Sequence, residues 1–338
     1  MKNNSNAFFA AANSYHGFTS VFKDIFTQKD FDRIFIIKGG PGTGKSTLMK
    51  KVSERYSNRG LTQTRLFCSS DPASLDGIIL DDGRVKIALL DGTPPHSFEP
   101  AVPAITDVII NTLDGLDEKK LKDKKNEILA LNNIKKTAYE KAYKYLKIAG
   151  EAKSCINALL FDSGIYNKAE LICNSYLCKT LSCKKAKRKT DLFKSSFSKS
   201  GYFTLPDNEE INITDLSENG FSGRLIINIL LDKLCKKGLV KQVCKSPLEP
   251  SDVEFIYLSD MTFKCEYKPY YEEDELPSVS EIIRLNGISK NAITLSTDAL
   301  KVASEAHFSL EKIYTDAMDF SVNDMLLEKI CSMIEMFY

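Results

Sequence analysis

The chain has 338 residues, enough for two domains, and its 46 Lys and Arg residues nearly balance 45 Asp and Glu residues, leaving a net charge of +1. This balance argues against a strongly electrostatic nucleic-acid or membrane binder. No stretch approaches the ~18 apolar residues of a membrane span, and residues 1–15 lack the pattern of a secretory signal. With nine cysteines and no CxxC pair, we expect a cytoplasmic protein with reduced thiols and no membrane contact.

The first predicted elements form a strand, a glycine-rich loop and a helix. Residues 34–37 are a short β-rich apolar run, which is typical of a buried strand. A helical pattern covers residues 46–57, and Asn58 and Gly60 end it. Between them, GGPGTGKS matches the Walker A pattern G-x-x-x-x-G-K-[ST] in the context that this motif requires.

This loop predicts a binding site for the phosphates of ATP. Glycines allow successive backbone N–H groups to converge on phosphate oxygens, and the positive end of the following helix adds to the attraction. Lys45 is expected to reach the β- and γ-phosphates, and the Ser46 hydroxyl is expected to ligate Mg²⁺. The predicted nucleotide-binding residues are Gly39, Gly40, Pro41, Gly42, Thr43, Gly44, Lys45, Ser46 and Thr47.

Two more strands are predicted, at residues 64–68 and 85–90. Asp91 follows the second of these strands, where P-loop proteins place an acidic residue that completes the magnesium shell, so Asp91 is the second predicted metal ligand. In a parallel sheet, Asp71 and His96 would lie on the same rim. We expect Asp71 to orient a water molecule or accept a proton, and His96 to contact the γ-phosphate. The alternatives are that Asp71-Pro72 only begins a turn and that His96 caps a loop.

The second half of the chain repeats landmarks of the first half. A long amphipathic pattern at residues 131–152 matches residues 285–306 at an offset of 154, with ten identical positions. At an offset of 176, Cys68 meets Cys244 and Asp76 meets Asp252. The sequence therefore predicts an internally duplicated α/β fold with mostly parallel, P-loop NTPase-like sheets, each half followed by long helices.

The second copy of the loop, LSENGFSGRL at residues 216–225, has lost the residues that bind the nucleotide. Glu218, Arg224 and Leu225 stand where the first copy has Gly39, Lys45 and Ser46, and Tyr267 falls opposite Asp91. The basic, serine-rich stretch between the halves is predicted to be a linker. The expected organisation is an ATP-binding domain at 1–185, a linker at 186–200 and a degenerate, non-catalytic domain at 201–338.

The chain resembles a little-characterised family of predicted ATPases from spore-forming Gram-positive bacteria. The residues that carry the resemblance are FIIKGGPGTGKSTLMKK, CSSDPASLDG and LLDGTPPH. The resemblance covers most of the chain and implies tandem P-loop halves and ATP binding, without a settled substrate. In that family the second loop tends to be a GKS-type loop, so LSENGFSGRL is a departure that argues against two working sites.

Three functions remain open on the sequence. The leading hypothesis is a Mg²⁺-dependent ATPase that changes the arrangement of a domain or an unknown protein partner, with Arg224 or Arg284 as a possible cation supplied by the other half. A second is a small-molecule or nucleotide kinase, for which the acceptor is unknown. A third is a nucleotide-gated binding module without significant turnover. Gly92 follows Asp91 where many motor-type ATPases have a glutamate base, which weakens the motor interpretation.

Overall fold

The structure is a computed structural model that describes residues 5–162, 165–206, 212–216, 222–266 and 279–338. It is an α/β fold with mixed sheets, and its contacts divide the chain into two compact units. Unit 1 comprises Met1–Ala11, Ser20–Tyr139 and Leu300–Tyr338; unit 2 comprises Ala12–Thr19 and Glu140–Ala299.

The first half of the chain contains eight strands and four helices, with a 3-10 turn at Leu113–Gly115. In chain order they are β1 (Ser5–Phe9), β2 (Ala11–Ser14), β3 (Gly17–Ser20), α1 (Phe22–Ile25), β4 (Arg33–Lys38), α2 (Lys45–Arg55), β5 (Thr62–Phe67), β6 (Leu75–Asp81), β7 (Lys86–Asp91), β8 (Asp107–Asn111), α3 (Glu118–Asp123) and α4 (Lys125–Asp162).

The second half contains the remaining elements of the described residues. They are α5 (Ile165–Cys178), β9 (Leu192–Phe193), β10 (Ser195–Ser198), β11 (Gly201–Thr204), β12 (Asn212–Asp215), α6 (Ser222–Lys236), β13 (Gln242–Lys245), β14 (Val253–Tyr257), β15 (Met261–Lys264), α7 (Val279–Asp316) and α8 (Ser321–Glu335).

In unit 1 the strand order is β1-β5-β6-β7-β4-β8. Strand β4 pairs in parallel with both β7 and β8, and its four central residues, 34–37, are completely buried, as expected of a central strand covered on both faces. Strand β6, which the sequence pattern did not predict, is antiparallel to β5 and β7. The loop after β4 therefore lies between the carboxyl ends of β7 and β8, where ligands of open α/β sheets bind.

The C-terminal helix α8 completes the core of unit 1. Ile330 and Ile334 are fully buried in the cluster that contains Val52 and Tyr56 of the α2 region. At the edge of this contact, Arg55 lies 2.6 Å from Glu328. The predicted domain at 201–338 differs from this division, because residues 300–338 belong to unit 1 and α8 shares a core with α2.

In unit 2 the strand order is β12-β15-β14-β13-β9. Strand β14 is antiparallel to both of its neighbours, β13 is parallel to β9, and β12 is parallel to β15. The stretch predicted as a linker at 186–200 contains β9 and β10, whose residues are all buried. The prediction of a linker was therefore misled by the serine-rich composition of a segment that contains two strands. One of them, β10, pairs with β11.

The two units repeat one pattern of strand pairing. Strands β9, β13, β14, β15 and β12 have the order and the relative directions of β1, β5, β6, β7 and β4. Helices α4 and α7 both have 38 residues, and both ends of the two helices are 154 positions apart, which is the offset found in the sequence.

The register of the strands refines the sequence alignment of the two halves. A pairing irregularity follows Leu66 in β5 and Cys244 in β13, so these strands correspond at an offset of 178 instead of 176. The same register places Glu254, and not Asp252, at the position of Asp76.

Two expectations about the whole chain concern thiols and membranes. All nine cysteines lie within the described residues and are free thiols. Across the described ranges, no helix combines the length and the apolar character that crossing a bilayer demands.

Replacing Ile330 by alanine should lower the free energy of unfolding by about 2–5 kcal/mol, because it leaves a cavity between α8 and the sheet. Urea unfolding followed by circular dichroism measures this change. Met325, on the same helix, is 65% exposed, and Met325→Ala should stay within about 0.5 kcal/mol of the wild type. Equal losses in the two variants would contradict the packing assigned to α8.

Candidate functional site

The glycine loop connects β4 to α2 in the geometry that the motif predicts. Gly42 and Gly44 have φ angles of 70° and 82°, in the left-handed region that favours glycine. Gly39 is buried, and a side chain there would overlap the Thr112 hydroxyl, which hydrogen-bonds to Lys38 O at 3.1 Å and to Thr43 Oγ1 at 2.9 Å. Thr112 follows β8, so the neighbouring strand fixes the start of the loop.

The backbone N–H groups of this loop are available to a ligand. Among the described residues, the N–H groups of Gly42, Gly44, Lys45 and Ser46 donate to no protein acceptor. Leu48 N donates to Gly44 O at 2.9 Å, which is the first hydrogen bond of α2. Successive donors at the start of a helix form an anion-binding arrangement.

The Lys45 side chain points back over the loop. Its Nζ donates to Gly39 O at 3.0 Å and to Gly40 O at 2.7 Å, and it lies 3.6 Å from Asp91 Oδ2. The structure therefore brings Lys45 and Asp91 together, as the sequence predicted for residues at neighbouring strand ends. Hydrogen bonds to neutral carbonyls leave the positive charge of Lys45 available to an anion.

Asp91 ends β7 in a tight turn. Its Oδ1 accepts hydrogen bonds from Thr93 N at 2.9 Å and from Thr93 Oγ1 at 2.5 Å, so Oδ2 faces Lys45. Burial raises the pKa of the Asp91 carboxyl, the charge of Asp76 raises it further, and Lys45 and Thr93 oppose the shift. A cation beside Asp91 would favour its ionised form.

Gly92 has a packing reason to be glycine. A side chain there would overlap Ile36, and Gly92 N donates to Ile37 O at 2.9 Å. Lys38 Nζ holds the turn further by donating to Gly92 O at 2.9 Å and to Phe98 O at 2.8 Å. A glutamate base cannot occupy this position without displacing the Ile36 side chain.

His96 lies near the site but is bound to a carboxylate that the sequence analysis did not select. Its Nε2 is 3.0 Å from Asp76 Oδ2, both side chains are buried, and its ring stacks on Phe22 at 4.4 Å between centroids. Asp76 is the second residue of β6 and is close enough for its charge to raise the pKa of Asp91. An aspartate shortly before the apolar run at residues 78–80 was the sequence signal that could have found it. Contact of His96 with a γ-phosphate stays a prediction.

Asp71 lies in the turn between β5 and β6. It accepts hydrogen bonds from Ser74 Oγ at 2.7 Å and, through its carbonyl, from Ser74 N at 2.9 Å. This is the turn role weighed as the alternative in the sequence analysis, and no hydrogen bond or ion pair joins Asp71 to the loop among the described residues. The same turn contacts α2, since Leu75 N donates to Ser46 Oγ at 2.9 Å. That bond leaves the Ser46 hydroxyl proton and a lone pair available.

Helix α4 brings a second cation towards the loop. Tyr139 OH lies 2.9 Å from Ser70 Oγ, and Lys135, one turn earlier, lies on the same face. Burial lowers the pKa of Lys135, and the charge of Lys45 lowers it further, whereas Glu311 of α7 raises it. The sequence did not single out Lys135, because a lysine in an amphipathic helix is normally solvated.

The C-terminal part of unit 1 holds the outer face of the loop. Thr315 Oγ1 donates to Gly42 O at 3.2 Å, and Asn323 Nδ2 donates to Thr43 O at 2.8 Å. A side chain at Gly42 would overlap Glu311 O, and one at Gly40 would lie 3.5 Å from the Tyr314 ring. These residues are some 270 positions from the loop, beyond the reach of local sequence patterns.

The corresponding place in unit 2 holds charged side chains paired with each other. Arg224 is 3.0 Å from Asp252 and 3.9 Å from Glu254. Burial raises the pKa of Glu254 to about 7 and lowers the pKa of Lys153 to about 7. By strand register, Cys265 takes the place of Asp91, and burial raises its thiol pKa to about 11. Glu218 and Tyr267 lie outside the described residues.

Comparisons with family models, with curated proteins and with solved structures find no match to this chain. The described residues contain no group of three or more His, Cys, Asp or Glu side chains arranged to hold a metal ion. This does not conflict with the predicted magnesium shell, which uses one hydroxyl, one carboxylate and phosphate oxygens. The free N–H donors, Lys45, the Ser46 hydroxyl and Asp91 fit a polyphosphate with its metal.

Gly42→Ala should destabilise unit 1 and weaken phosphate binding about tenfold or more. Alanine would be strained at positive φ and would collide with Glu311, so the loop must move. Gly60→Ala is the matched control, because Gly60 has a φ of 75° and nothing within 4 Å of the added carbon. We expect only about 1 kcal/mol of destabilisation there and unchanged binding. Thermal unfolding measures the loss of stability, and calorimetry measures phosphate binding. Equal effects of Gly42→Ala and Gly60→Ala would contradict the close packing of the loop at Gly42.

Proposed function

We propose that this protein binds Mg²⁺–ATP at the loop of residues 39–47 and hydrolyses it. The observation that carries the proposal is the set of unused N–H donors at the start of α2, together with the Lys45 ammonium, which lies 3.6 Å from the Asp91 carboxylate. The donors and Lys45 come after β4, and Asp91 ends β7, which is the neighbour of β4 in the sheet. A nucleoside triphosphate with its magnesium ion would use all of these groups together, and ATP is the one that we propose.

Each group has a defined task in this proposal. The loop N–H groups bind phosphate oxygens, and Lys45 leaves the carbonyls of Gly39 and Gly40 for the β- and γ-phosphates. Ser46 and Asp91 hold the magnesium ion, which neutralises charge on the phosphates when it is bound. Lys135 supplies further positive potential beside Lys45.

The water that attacks the γ-phosphate needs a carboxylate or a dipole to orient it. Because Gly92 excludes a glutamate base, Asp76 is our candidate, with His96 fixing its orientation. Of the candidates from sequence, His96 would act through this carboxylate, and the orientation of a water or acceptance of a proton by Asp71 stays a prediction. The roles of all three remain part of the proposal.

We propose in addition that the chain arose by internal duplication and that its second copy does not bind ATP. The repeated strand order, the equal lengths of α4 and α7 and the matching pairing irregularities support the duplication. The pairing of Arg224 with two carboxylates supports the loss of binding, because a cation already neutralised in a buried site attracts phosphate weakly. Leu225 has no oxygen to offer a metal.

Lys45→Met should weaken ATP binding about 10- to 100-fold and reduce turnover at least as much, because it removes the charge from the phosphate site while keeping the length of the side chain. Titration calorimetry with Mg²⁺–ATP and release of inorganic phosphate measure the two effects. Lys50→Met, on the exposed face of the same helix, is the control and should behave like the wild type.

The same titration tests the second copy. The wild type should bind one ATP per chain, and Lys45→Met should leave no second site of full affinity. A folded Lys45→Met protein with unchanged affinity and turnover would overturn the proposed function. Phosphate release only with an added acceptor would identify a kinase, and tight binding without turnover would identify a nucleotide-gated module.

Asp91→Asn should reduce magnesium-dependent turnover about 100-fold while changing magnesium-free ATP binding by less than about threefold. The amide keeps the shape of the turn with Thr93 but loses the charge that acts on the metal. ATP binding and turnover of the wild type and of Asp91→Asn are each measured with Mg²⁺ and with a chelator. An equal effect under both conditions would remove Asp91 from the metal shell.

A further inference from the structure

Within unit 1, the face of α4 that carries Lys135 lies on the Asp91 side of the glycine loop. Tyr139 OH lies 2.9 Å from Ser70 Oγ, in the turn after β5. Burial raises the pKa of Tyr139 to about 12, and the charge of Asp76 adds to the shift. Asp76 is also the carboxylate whose charge reaches Asp91. Because Lys135 precedes Tyr139 by one turn, its side chain projects from the same face.

Two charged residues beside the loop act on Lys135. After burial, the charge of Lys45 is the larger cause that lowers the pKa of Lys135, and the charge of Glu311 raises it. Lys45 reaches back over the loop to Gly39 O, and a Cβ added to Gly42 would overlap the Glu311 carbonyl oxygen. Lys135 therefore lies close to a loop whose two ends are marked by these residues.

The ammonium group of Lys135 is a partly buried cation without a protein partner. Over the part of the chain that the structure describes, its side chain makes no hydrogen bond and no ion pair. Glu311 lies 3.4 Å from His307 instead. Lys45 has one carboxylate, Asp91, at 3.6 Å, so the two lysines together leave positive charge in excess. A partly buried charge without a partner is unfavourable, and an anionic ligand would supply the partner.

We propose that Lys135 contacts the γ-phosphate of the bound nucleotide and is the residue by which this site distinguishes ATP from ADP. This inference rests on the proposed binding of Mg²⁺–ATP at the loop. Ser46 and Asp91 would hold the metal against the β- and γ-phosphates, so the terminal phosphate lies on the side from which Lys135 approaches.

The division of tasks follows from the positions of the donors. The N–H groups at the start of α2 contact the phosphates that ATP and ADP share, whereas Lys135 gains a partner only from the third phosphate. The same ammonium group stabilises the charge on the phosphoryl group as it is transferred to water. Lys135 is thus a catalytic residue as well as a residue that determines specificity.

The specificity is tested on the full chain by titration calorimetry with Mg²⁺–ADP and with the Mg²⁺ complex of the β,γ-imido analogue of ATP, which is not hydrolysed. Lys135→Met should weaken binding of the analogue about tenfold or more and change ADP binding less than about twofold. Lys135→Arg keeps the charge and should keep the ratio of the two affinities within about threefold of the wild type. Lys144→Met, at an exposed position of α4, is the matched control and should leave both affinities unchanged.

Two further measurements separate this role from a structural one. Without nucleotide, Lys135→Met should unfold at the wild-type temperature or above it, because it removes a partly buried charge that has no partner. A lysine that holds α4 in place through a contact would instead lower the unfolding temperature when it is replaced. At saturating Mg²⁺–ATP, phosphate release should fall about tenfold or more in Lys135→Met and stay unchanged in Lys144→Met.

The outcomes distinguish failure of this inference from failure of the proposed function. If the wild type binds both nucleotides and Lys135→Met weakens them equally, or weakens neither, other groups recognise the γ-phosphate and only the inference is wrong. A lowered unfolding temperature of Lys135→Met without nucleotide would also overturn it. If the wild type binds neither the analogue nor ADP, the proposed nucleotide function is itself refuted.

Discussion

The candidate site depends on the backbone conformation of one loop, in which Gly42 and Gly44 have positive φ angles and the N–H groups of Gly42, Gly44, Lys45 and Ser46 donate to no acceptor among the described residues. Such a loop is costly to order by itself, because glycine loses much conformational freedom on folding. Its neighbours hold it: Thr112 from β8 at the start, Asn323 from α8 at Thr43, and Thr315 from α7 at Gly42. Ordering the donors before a ligand arrives lowers the entropic cost of binding.

The buried cations at corresponding places of the two units, Lys45 and Arg224, differ in how far nearby carboxylates balance their charge. Lys45 rests on neutral carbonyl oxygens with a single carboxylate at 3.6 Å, so its charge is only partly compensated. Arg224 lies 3.0 Å from Asp252 and 3.9 Å from Glu254, so two carboxylates of its own unit oppose its charge. A buried ion is tolerated when partners surround it, whereas a binding site requires a partner to be missing.

The sequence predicted the parts of the site whose pattern is local. The strand at 34–37, the helix after Lys45 and the proximity of Asp91 to Lys45 follow from periodicity, glycine spacing and the parallel arrangement of β4 and β7. Strand β6 was missed because its glycine and aspartates resemble a turn, and Asp76 was missed with it. The buried strand at 195–198 was missed because serine and lysine suggested a solvated linker. Contacts of residues 311–323 with the loop join distant parts of the chain, which no local pattern encodes.

Unit 1 is assembled from pieces that are separated by about 160 residues of unit 2. On a ribosome, the glycine loop emerges long before α8, so the nascent first half carries an incomplete core with an apolar face awaiting Ile330 and Ile334. Native contacts of such long sequence separation form slowly, and exposed apolar surface in the interval invites association with other chains. The discontinuous layout thus delays the completion of the core around the glycine loop until the late segments have been synthesised.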